Sequence, residues 1–542
     1  MIKLLLFSII TFLSFITIRI SSNRVPNSPF PICSKGLNSS SLLYVYNTDS
    51  STQDDAFTIE MLQGYLSQTS PQIYHYSVSN SAPYDLWVNI SAQLFSIQLD
   101  YTYFNNMKGL VQKYQSIYQG YVLVDLSDNS TNIAIAALAA GNPWLVVTTK
   151  NQPLAVSLGL PLKYDLRGKT LSWALQTFNI NSYSTTVTVL QEASKYNCMG
   201  DFSVSMKALQ WWQDDITSSL SQQIWNNLVP PFSMFGWGPD EYNTVNKVSQ
   251  QGGFTIASDW ASNLDIFANY DIPQFTQSSP SPSAKSKVNN VHTVCFLMSD
   301  GDNIQWILDS FATNPTWWGS PDRGYVPLGW TLSPSLADVA PVTMAYLYNG
   351  TLDTTKPYRN VFVGGVSGVG YFYPDSDPDL TTLNKVTSLT AGYMNKADMN
   401  IVTVLSHGEG YSTDAIPQAY LQHDTIQAIF WENFDDYSGM HGNITFINNK
   451  PVIGGRFNLW GNGNNPSGPT FKNVTGLINS ILTLPRDPTS SNGYTLVPVH
   501  AWSHNVTDVR TVMEGLYAAA PNEIEVLPPD EFVQRIIANV VH

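Results

Sequence analysis

Residues 293–303 read TVCFLMSDGDN, an unbroken apolar run that ends in a cluster of polar and acidic side chains. An apolar run without alternation is typical of a strand buried on both faces, as in a parallel sheet covered by helices. Similar runs recur through the C-terminal half of the chain, at spacings that leave room for a helix between them. The eight candidate strands cover residues 294–298, 326–330, 361–364, 401–405, 426–431, 452–455, 496–499 and 524–527.

Parallel strands that alternate with helices predict an α/β fold, with a (β/α)-barrel or barrel-like domain over residues 230–542. An open, doubly wound sheet is the architectural alternative. Helical patterns between the strands agree with either arrangement, and they fall at residues 304–311, 383–396, 474–484 and 509–518.

The N-terminal part of the chain has shorter apolar runs that alternate with helix-like segments. This pattern predicts a smaller α/β domain over residues 37–229. A helix is predicted over residues 207–228, because apolar residues recur there at helical spacing until Pro230 and Pro231 end the pattern. The domain boundary is therefore predicted at this point.

The composition excludes several classes of protein. The chain has 542 residues, more than one hydrophobic core usually organises, which agrees with two domains. A net charge of −15 and the lack of a basic patch argue against nucleic acid as a partner, since phosphate backbones are bound by clustered Lys and Arg. Motifs of serine hydrolases and of nucleotide or dinucleotide sites do not stand out, and no cofactor is predicted.

The first residues resemble a leader segment. Lys3 precedes an apolar run over residues 4–18, which predicts a signal peptide over residues 1–22 and no membrane association after its removal. An uncleaved anchor is the alternative, because no clear cleavage site follows. Secretion or the endolysosomal lumen is the expected location, since seven Asn-x-Ser/Thr triplets predict N-glycosylation. The acceptors are Asn38, Asn89, Asn129, Asn349, Asn443, Asn473 and Asn505.

Acidic side chains follow three of the candidate strands, at the ends where a parallel barrel forms its active site. Cleavage of a glycosidic bond commonly uses two carboxyl groups, one protonated and one ionised. We predict that the catalytic pair comes from Asp300, Asp302, Glu409 and Glu432.

Each of these acids also has a structural interpretation. Asp300 or Asp302 would cap the helix predicted from residue 304, and Glu432 would form a salt bridge with Arg456. Glu409 lies between two glycines and would then be a solvated loop residue.

Aromatic and polar side chains lie at the same strand ends, and exposed rings stack well on sugars. One of the polar residues, Asp259, has a structural interpretation as well, as the cap of a following helix. Substrate binding is predicted for Trp237, Asp259, Trp260, Asn263, His407, Arg456, Trp460, His500 and Trp502.

A second functional hypothesis rests on His500 and His504, whose spacing of four can present two imidazoles to one metal ion. With Asp300 or Asp302 they would form a site of the kind that activates water in carbohydrate deacetylases. The alternative is a pair of hydrogen-bonded loop histidines, and the leading hypothesis includes no metal. A third hypothesis is a glycan-binding protein without catalysis.

Residues 368–374 read GVGYFYP, which matches the GxGYxYP signature of the family of putative glycoside hydrolases named after it. Further similar segments are residues 235–238 with Glu241, 258–263, 299–303 and 528–532, so the resemblance covers the chain from about residue 230 to its end.

This resemblance implies a barrel-like C-terminal domain with a sugar-related role, and an N-terminal companion domain over roughly residues 37–229. Within the signature, Tyr371 and Tyr373 would present rings and hydroxyl groups to the ligand, or else belong to a structural loop packed against the rim. The leading prediction is a secreted glycoside hydrolase that acts on carbohydrate.

Overall fold

A computed structural model describes residues 25–30, 36–78, 83–277, 290–351, 353–408, 414–461 and 468–541. The predicted signal peptide and the candidate Glu409 lie outside these described residues. No helix in the described ranges is long and apolar enough to cross a membrane.

The first of three small N-terminal sheets is parallel, with β1 in its centre. It consists of β1 (Leu42–Asn47), β2 (Ile73–Tyr76) and β3 (Gln98–Asp100), with helices α1 (Gln53–Ser67), α2 (Tyr84–Phe95) and α3 (Met107–Lys113).

The second sheet is also parallel, with β4 in its centre. It consists of β4 (Gly120–Val124), β5 (Trp144–Thr148) and β6 (Leu162–Asp165), with helices α4 (Ser130–Ala139), α5 (Gln152–Ser157) and α6 (Leu171–Thr177).

The third sheet is parallel and follows in the chain. Its strands are β7 (Val187–Leu190), β8 (Leu209–Trp211), β9 (Phe232–Gly236) and β10 (Gly253–Ala257), in the order β10-β9-β7-β8. Its helices are α7 (Gly200–Ser205), α8 (Ser219–Trp225), α9 (Glu241–Gln250) and α10 (Leu264–Phe267).

One local prediction fails in this third sheet. The helix predicted over residues 207–228 is instead β8 followed by the short helix α8. Trp211 is fully buried on β8 and donates a 3.0 Å hydrogen bond from Nε1 to Thr188 Oγ1 on the neighbouring β7. Tertiary strand pairing therefore overrides the helical spacing of the apolar residues. The boundary predicted at residues 229–230 falls between two strands of this one sheet.

An eleven-stranded, largely parallel sheet forms the C-terminal region. Its strands are β11 (His292–Met298), β12 (Leu328–Leu332), β13 (Asn360–Gly364), β14 (Ile401–Ser406), β15 (Ala428–Asn433), β16 (Ile444–Ile447), β17 (Lys450–Gly454), β18 (Asn458–Leu459), β19 (Phe471–Lys472), β20 (Tyr494–Val499) and β21 (Ile524–Val526). Its helices are α11 (Ile304–Leu308), α12 (Leu336–Val339), α13 (Pro341–Gly350), α14 (Leu380–Lys396), α15 (Ala415–Leu421), α16 (Val474–Leu482), α17 (Val506–Ala519) and α18 (Pro529–Asn539).

All eight predicted strands are present, and they form a curled half-barrel sheet, a barrel-like arrangement that stops short of a complete (β/α)-barrel. The strand order is β16-β17-β15-β14-β13-β12-β11-β20-β18-β19, and β21 pairs only with the start of β11. The antiparallel β16 and the short β18 occupy the edges of β17 and β20. An isolated parallel bridge between Gly455 and Leu496 links the end of β17 to β20, across the two sides of the curled sheet.

The first and third N-terminal sheets share one hydrophobic core with the curled sheet. Leu43 of β1 and Phe254 of β10 belong to the same buried cluster as Phe296 of β11 and Trp330 of β12. A short antiparallel bridge between Thr255 and Tyr371 also joins β10 to the loop after β13. This packing holds the N-terminal region against the carboxyl ends of the parallel strands, where the candidate site lies.

Candidate active site

A cavity of about 590 Å³ opens at the carboxyl ends of β11, β15 and β20. This is the edge at which parallel α/β sheets usually bind their ligands. Ten of the residues predicted for the site line it: Asp300, Asp302, Glu432, Trp237, Asp259, Trp260, Tyr371, Trp460, His500 and Trp502.

The loop after β11 holds two of these acids in a constrained backbone. Asp300 has φ of 69°, a left-handed conformation that is uncommon for a residue other than glycine. A Cβ atom on the next residue, Gly301, would lie 1.6 Å from the carbonyl oxygen of Thr331 on β12. The Gly301 N–H also donates a 2.9 Å hydrogen bond to Thr331 Oγ1. The loop is therefore fastened to the neighbouring strand, and glycine is required for that approach.

The helix-cap interpretation of these acids is wrong. Helix α11 is capped by Asn303, whose side chain accepts a hydrogen bond from the Trp306 N–H. The Asp300 carboxylate instead accepts hydrogen bonds from Ser299 Oγ and, at 2.9 Å, from Trp502 Nε1. Asp300 is thus positioned by its neighbours while it faces the cavity.

Among the described residues, three buried acids line the cavity: Asp259, with a relative exposure of 3%, and Asp302 and Glu432, with 9% each. Burial, followed by the negative charge of Asp300, raises the pKa of Asp302 to about 8. Burial and the charges of Asp300 and Asp302 likewise raise the pKa of Glu432 to about 8. No other residue in the described part of the chain donates a hydrogen bond to either carboxyl group. Both groups therefore favour the protonated form near neutral pH.

The two acids come from well-separated strands of the curled sheet. Asp302 follows β11 and Glu432 lies near the end of β15, with β12, β13 and β14 between those strands in the sheet. Both nevertheless line the same cavity. The curl of the sheet therefore brings the carboxyl groups of Asp302 and Glu432 to the same cavity.

Arg456 does not form the predicted salt bridge with Glu432. Its guanidinium donates hydrogen bonds to the carbonyl oxygens of Gly442 at 2.8 Å, Ser491 at 2.9 Å and Tyr494 at 3.1 Å. These contacts tie the end of β17 to the segment before β20. Arg456 is not one of the residues that line the cavity.

Rings form much of the cavity wall. The Trp460 and His500 rings are stacked, with centroids 3.7 Å apart and planes 5° from parallel. Trp260 and Trp502 are 59% and 49% exposed, high values for tryptophan. Asp259 forms a salt bridge with Lys195, whose ammonium also lies 4.7 Å from the centre of the Trp260 ring. The wall thus offers exposed faces that could stack on a flat ligand surface.

Three predicted binding residues pack behind this wall. Asn263 is fully buried, and its Oδ1 accepts a 2.9 Å hydrogen bond from the His75 N–H. Tyr373 lies behind Tyr371, with their hydroxyl oxygens 3.3 Å apart. The His407 ring stacks on Tyr242 and hydrogen-bonds its hydroxyl group. Asn263, Tyr373 and His407 do not line the cavity.

Sequence reasoning missed Glu241 and Tyr437, which both line the cavity. Tyr371 donates a 3.0 Å hydrogen bond to Glu241 Oε1. The Glu241 side chain has access to solvent, but desolvation by the protein around it and the charge of Asp300 raise its pKa. Glu241 belongs to a segment that carries the family resemblance, which could have revealed it. Tyr437 follows two acids after β15 and lies in no segment that carries the resemblance, so the sequence did not point to it.

The two histidines of the metal hypothesis have separate partners. His500 faces the cavity and its Nδ1 lies 2.8 Å from Ser503 Oγ. His504 is buried, and its Nδ1 lies 3.0 Å from Asp508 Oδ2. Among the described residues, no group of three His, Cys, Asp or Glu side chains is arranged to hold a metal ion. The predicted His/His/Asp set is therefore not assembled there.

Family models and a solved structure resemble the chain over most of its length. The model of the GxGYxYP putative glycoside hydrolase C-terminal domain matches residues 290–536. The models of the GxGYxYP third domain and the GxGYxYP_N second domain match residues 184–269 and 118–181.

A crystal structure of a putative hydrolase from Bacteroides thetaiotaomicron VPI-5482 is 25% identical, with a TM-score of 0.81, and the match covers 94% of this chain and 98% of that chain. No curated protein matches the chain. Because the three family models together account for the third sheet, the second sheet and the curled sheet, the chain belongs to the GxGYxYP family of putative glycoside hydrolases.

Proposed function

We propose that the protein is a glycoside hydrolase whose reaction uses the carboxyl groups of Asp300, Asp302 and Glu432. The observation that carries this proposal is the pair of buried acids, Asp302 and Glu432, whose pKa values are both raised to about 8 beside one cavity. Perturbed acids in a cleft are typical of catalytic sites, and a raised pKa is what a general acid requires.

The three acids suit different parts of the reaction. Glu432, protonated below about pH 8, donates its proton to the leaving glycosidic oxygen as the bond to the anomeric carbon breaks. Asp300 accepts two hydrogen bonds and supplies the ionised carboxylate that attacks the anomeric carbon or takes a proton from water. Asp302 lies next to Asp300 in the loop. Its protonated carboxyl group donates a hydrogen bond to a substrate hydroxyl group.

The lining of the cavity favours a neutral carbohydrate as the substrate. No lysine or arginine is among the described residues that line it, so a phosphorylated or carboxylated ligand would lack a counter-charge. Exposed indole rings at Trp260 and Trp502 offer stacking faces beside the acids. The indole rings suit the apolar faces of a sugar ring, and the carboxyl groups can hydrogen-bond the hydroxyl groups at its edge.

The leader-like segment and the glycosylation triplets support a secreted or endolysosomal protein. None of the seven acceptor asparagines is buried. Expression in a eukaryotic host should yield a protein that starts after about residue 22 and loses mass when N-glycans are removed enzymatically. A mature protein that keeps residues 1–22 and carries no glycan would contradict this location.

Glu432→Gln tests the catalytic proposal. The wild-type protein and the variant are assayed on 4-nitrophenyl glycosides and oligosaccharides of several sugar configurations, from acidic to neutral pH. Loss of the proton donor should lower kcat about 10²- to 10⁴-fold without loss of the fold. Glu514→Gln, on the exposed face of α17, is the matched control and should leave kcat unchanged.

Full activity of Glu432→Gln would refute the role of this acid. If the wild-type protein binds glycans from the panel but cleaves none, the chain is a glycan-binding protein and the catalytic proposal fails.

A further inference from the structure

A second cavity, of about 630 Å³, lies directly beside the first and is formed largely by the N-terminal region. The loop from β1 to α1, α1 itself, the end of β2 and the segment before α7 supply most of its wall. Each cavity alone falls within the roughly 300–1,000 Å³ that is typical of a small-molecule site. Together they exceed the space that one sugar ring needs.

The two cavities meet at a shared wall. Trp260, Asn303, Gln305 and Trp502 line both of them. Gln305 Oε1 accepts a 2.6 Å hydrogen bond from the Trp260 N–H, which holds the loop after β10 against α11. The two most exposed tryptophans of the site therefore stand at the junction, 59% and 49% exposed. A ligand that stacks on them lies partly in each cavity.

The floor of the second cavity has buried polar groups that are suited to a neutral ligand. Glu60 is 3% exposed, and its Oε1 accepts a 2.9 Å hydrogen bond from the Gly200 N–H. His75 is also buried, and its Nε2 has no hydrogen-bond partner among the described residues. An orphaned buried nitrogen beside a cavity indicates a site for an external hydrogen-bonding group.

The chemistry of the walls narrows the class of ligand. Hydroxyl and amide side chains such as Thr52, Gln53 and Asn197 face the cavity, with the rings of Tyr84 and Tyr196. No lysine or arginine is among its described lining residues. Burial lowers the pKa of His75 to about 3, so its ring is neutral from mildly acidic to neutral pH. A hydroxyl-rich, uncharged molecule fits these groups, and an anion does not.

We infer, on the basis of the proposed hydrolase function, that the second cavity binds further sugar units of the same chain whose glycosidic bond lies at Asp300 and Glu432. The preferred substrate is then a neutral oligosaccharide that spans both cavities across Trp260 and Trp502. Recognition of these distant units falls to the region of the first sheet, since the loop after β1, the end of β2 and α1 carry the residues that line the far end.

The wild-type protein provides the first test, because chain length alone should change its kinetics. The probes are the 4-nitrophenyl monosaccharides and the matching two- to six-unit oligosaccharides of gluco, manno, xylo and galacto configuration, in both anomers. For the configuration that is cleaved, kcat/KM should rise about tenfold or more between the shortest and longest members. If kcat/KM does not depend on length, the inference is wrong while the hydrolase proposal stands.

The second test fills the far cavity. Ala56 lies in the first turn of α1 and lines only the second cavity, so Ala56→Trp should occupy space that sugar units need. We expect kcat/KM on the six-unit oligosaccharide to fall at least tenfold, and that on the 4-nitrophenyl monosaccharide to change less than twofold. Ala518→Trp, at an exposed position on α17, is the matched control and should alter neither.

Asn197→Trp is a second filling variant at an exposed loop position, in case Ala56→Trp does not fold. An equal loss on both substrates, or no loss on either, would overturn the inference. If the wild-type protein neither cleaves nor binds any member of the panel, the proposed function itself fails, and this inference with it. Binding of the six-unit oligosaccharide to Glu432→Gln, measured by calorimetry, should also weaken about tenfold when Ala56→Trp is added.

Discussion

The molecule contains two groups of buried acids with different surroundings. Glu60, Asp201 and Asp265 lie in the N-terminal region, and burial is the largest cause that raises the pKa of each. Asp302 and Glu432 lie at the curled sheet, and burial raises their pKa values as well. A raised pKa is therefore common to both groups and does not by itself identify a catalytic acid.

Hydrogen bonding separates the two groups. Asp265 accepts hydrogen bonds from Gln63 Nε2 at 2.7 Å and from Ser67 Oγ at 2.6 Å, and Asp201 accepts one from the Asn263 N–H at 2.7 Å. These contacts join α1 to α10 and α7 to the residue before α10, and they specify how the first and third sheets pack. Among the described residues, Asp302 and Glu432 receive no such donors from other residues. Asp201 and Asp265 hold the fold together, whereas Asp302 and Glu432 are available to a ligand.

The largest expected effect is the loss of activity in Asp302→Asn. The substitution keeps the shape of the side chain and replaces the carboxyl O–H, which donates to a substrate hydroxyl group, by the weaker N–H donor of an amide. We expect kcat/KM on an oligosaccharide that the wild-type protein cleaves to fall about ten- to a hundredfold, which corresponds to the weakening of one hydrogen bond to the substrate. The free energy of unfolding in urea should stay equal or increase, because an amide never ionises and so never places a charge in the buried site. A variant that loses stability and keeps its activity would place Asp302 with the structural acids.

Asp265→Ala should give the opposite result. It removes the acceptor for Gln63 Nε2 and Ser67 Oγ in a fully buried place. We expect the free energy of unfolding to fall by about 2 to 4 kcal/mol, since two buried donors lose an acceptor. The kcat on a 4-nitrophenyl monosaccharide, measured at a temperature where the variant is folded, should change less than about threefold. A large loss of kcat with unchanged stability would remove the distinction between the two groups.

The dependence of stability on pH sharpens the comparison further. In the folded protein Glu432 has a pKa of about 8, against an ordinary value of 4.5. Between these values the folded state binds more protons than the unfolded state, so this group contributes stability below about pH 4.5 that is lost as pH rises to about 8. Glu432→Gln cannot ionise, and its unfolding free energy should exceed that of the wild-type protein by about 2 to 4 kcal/mol at pH 9.

Thermal or urea unfolding of Glu432→Gln and Glu514→Gln at pH 5, 7 and 9 measures this effect. The control acid is exposed, so its replacement should give the same small difference at every pH. If the advantage of Glu432→Gln over the wild-type protein does not grow with pH, the carboxyl group is not held in its protonated form.

The strands and the acids at their ends could be predicted from the sequence because both depend on local patterns. Unbroken apolar runs such as residues 294–298 identify buried strands, and Asp300, Asp302 and Glu432 follow such runs directly. The carboxyl ends of parallel strands share one edge, so these acids were expected together.

The remaining features depend on contacts between distant segments. Asn263 and His407 have the residue types of a binding site, but their partners, His75 and Tyr242, lie far away in the sequence and draw them behind the wall. The apolar runs do not indicate that β16 and β18 pair with the edges of β17 and β20, so they could not distinguish a complete barrel from the barrel-like half-barrel sheet. Glu241 comes from α9, outside the curled sheet, and only the resemblance pointed to that segment.

Asp300 combines features of both groups, since it faces the cavity and also accepts hydrogen bonds. Trp502→Phe keeps an aromatic ring for stacking and removes the Nε1 donor to Asp300 Oδ1. One neighbouring hydrogen bond to a carboxylate contributes roughly 1.5 to 3 kcal/mol, and Ser299 Oγ still donates, so we expect kcat to fall only about three- to tenfold. Trp502→Leu, which also removes the stacking face, should raise KM for the oligosaccharide as well. If Trp502→Phe has the same KM and kcat as the wild-type protein, the bond to Asp300 is structural, and this carboxylate belongs with the acids that hold the fold.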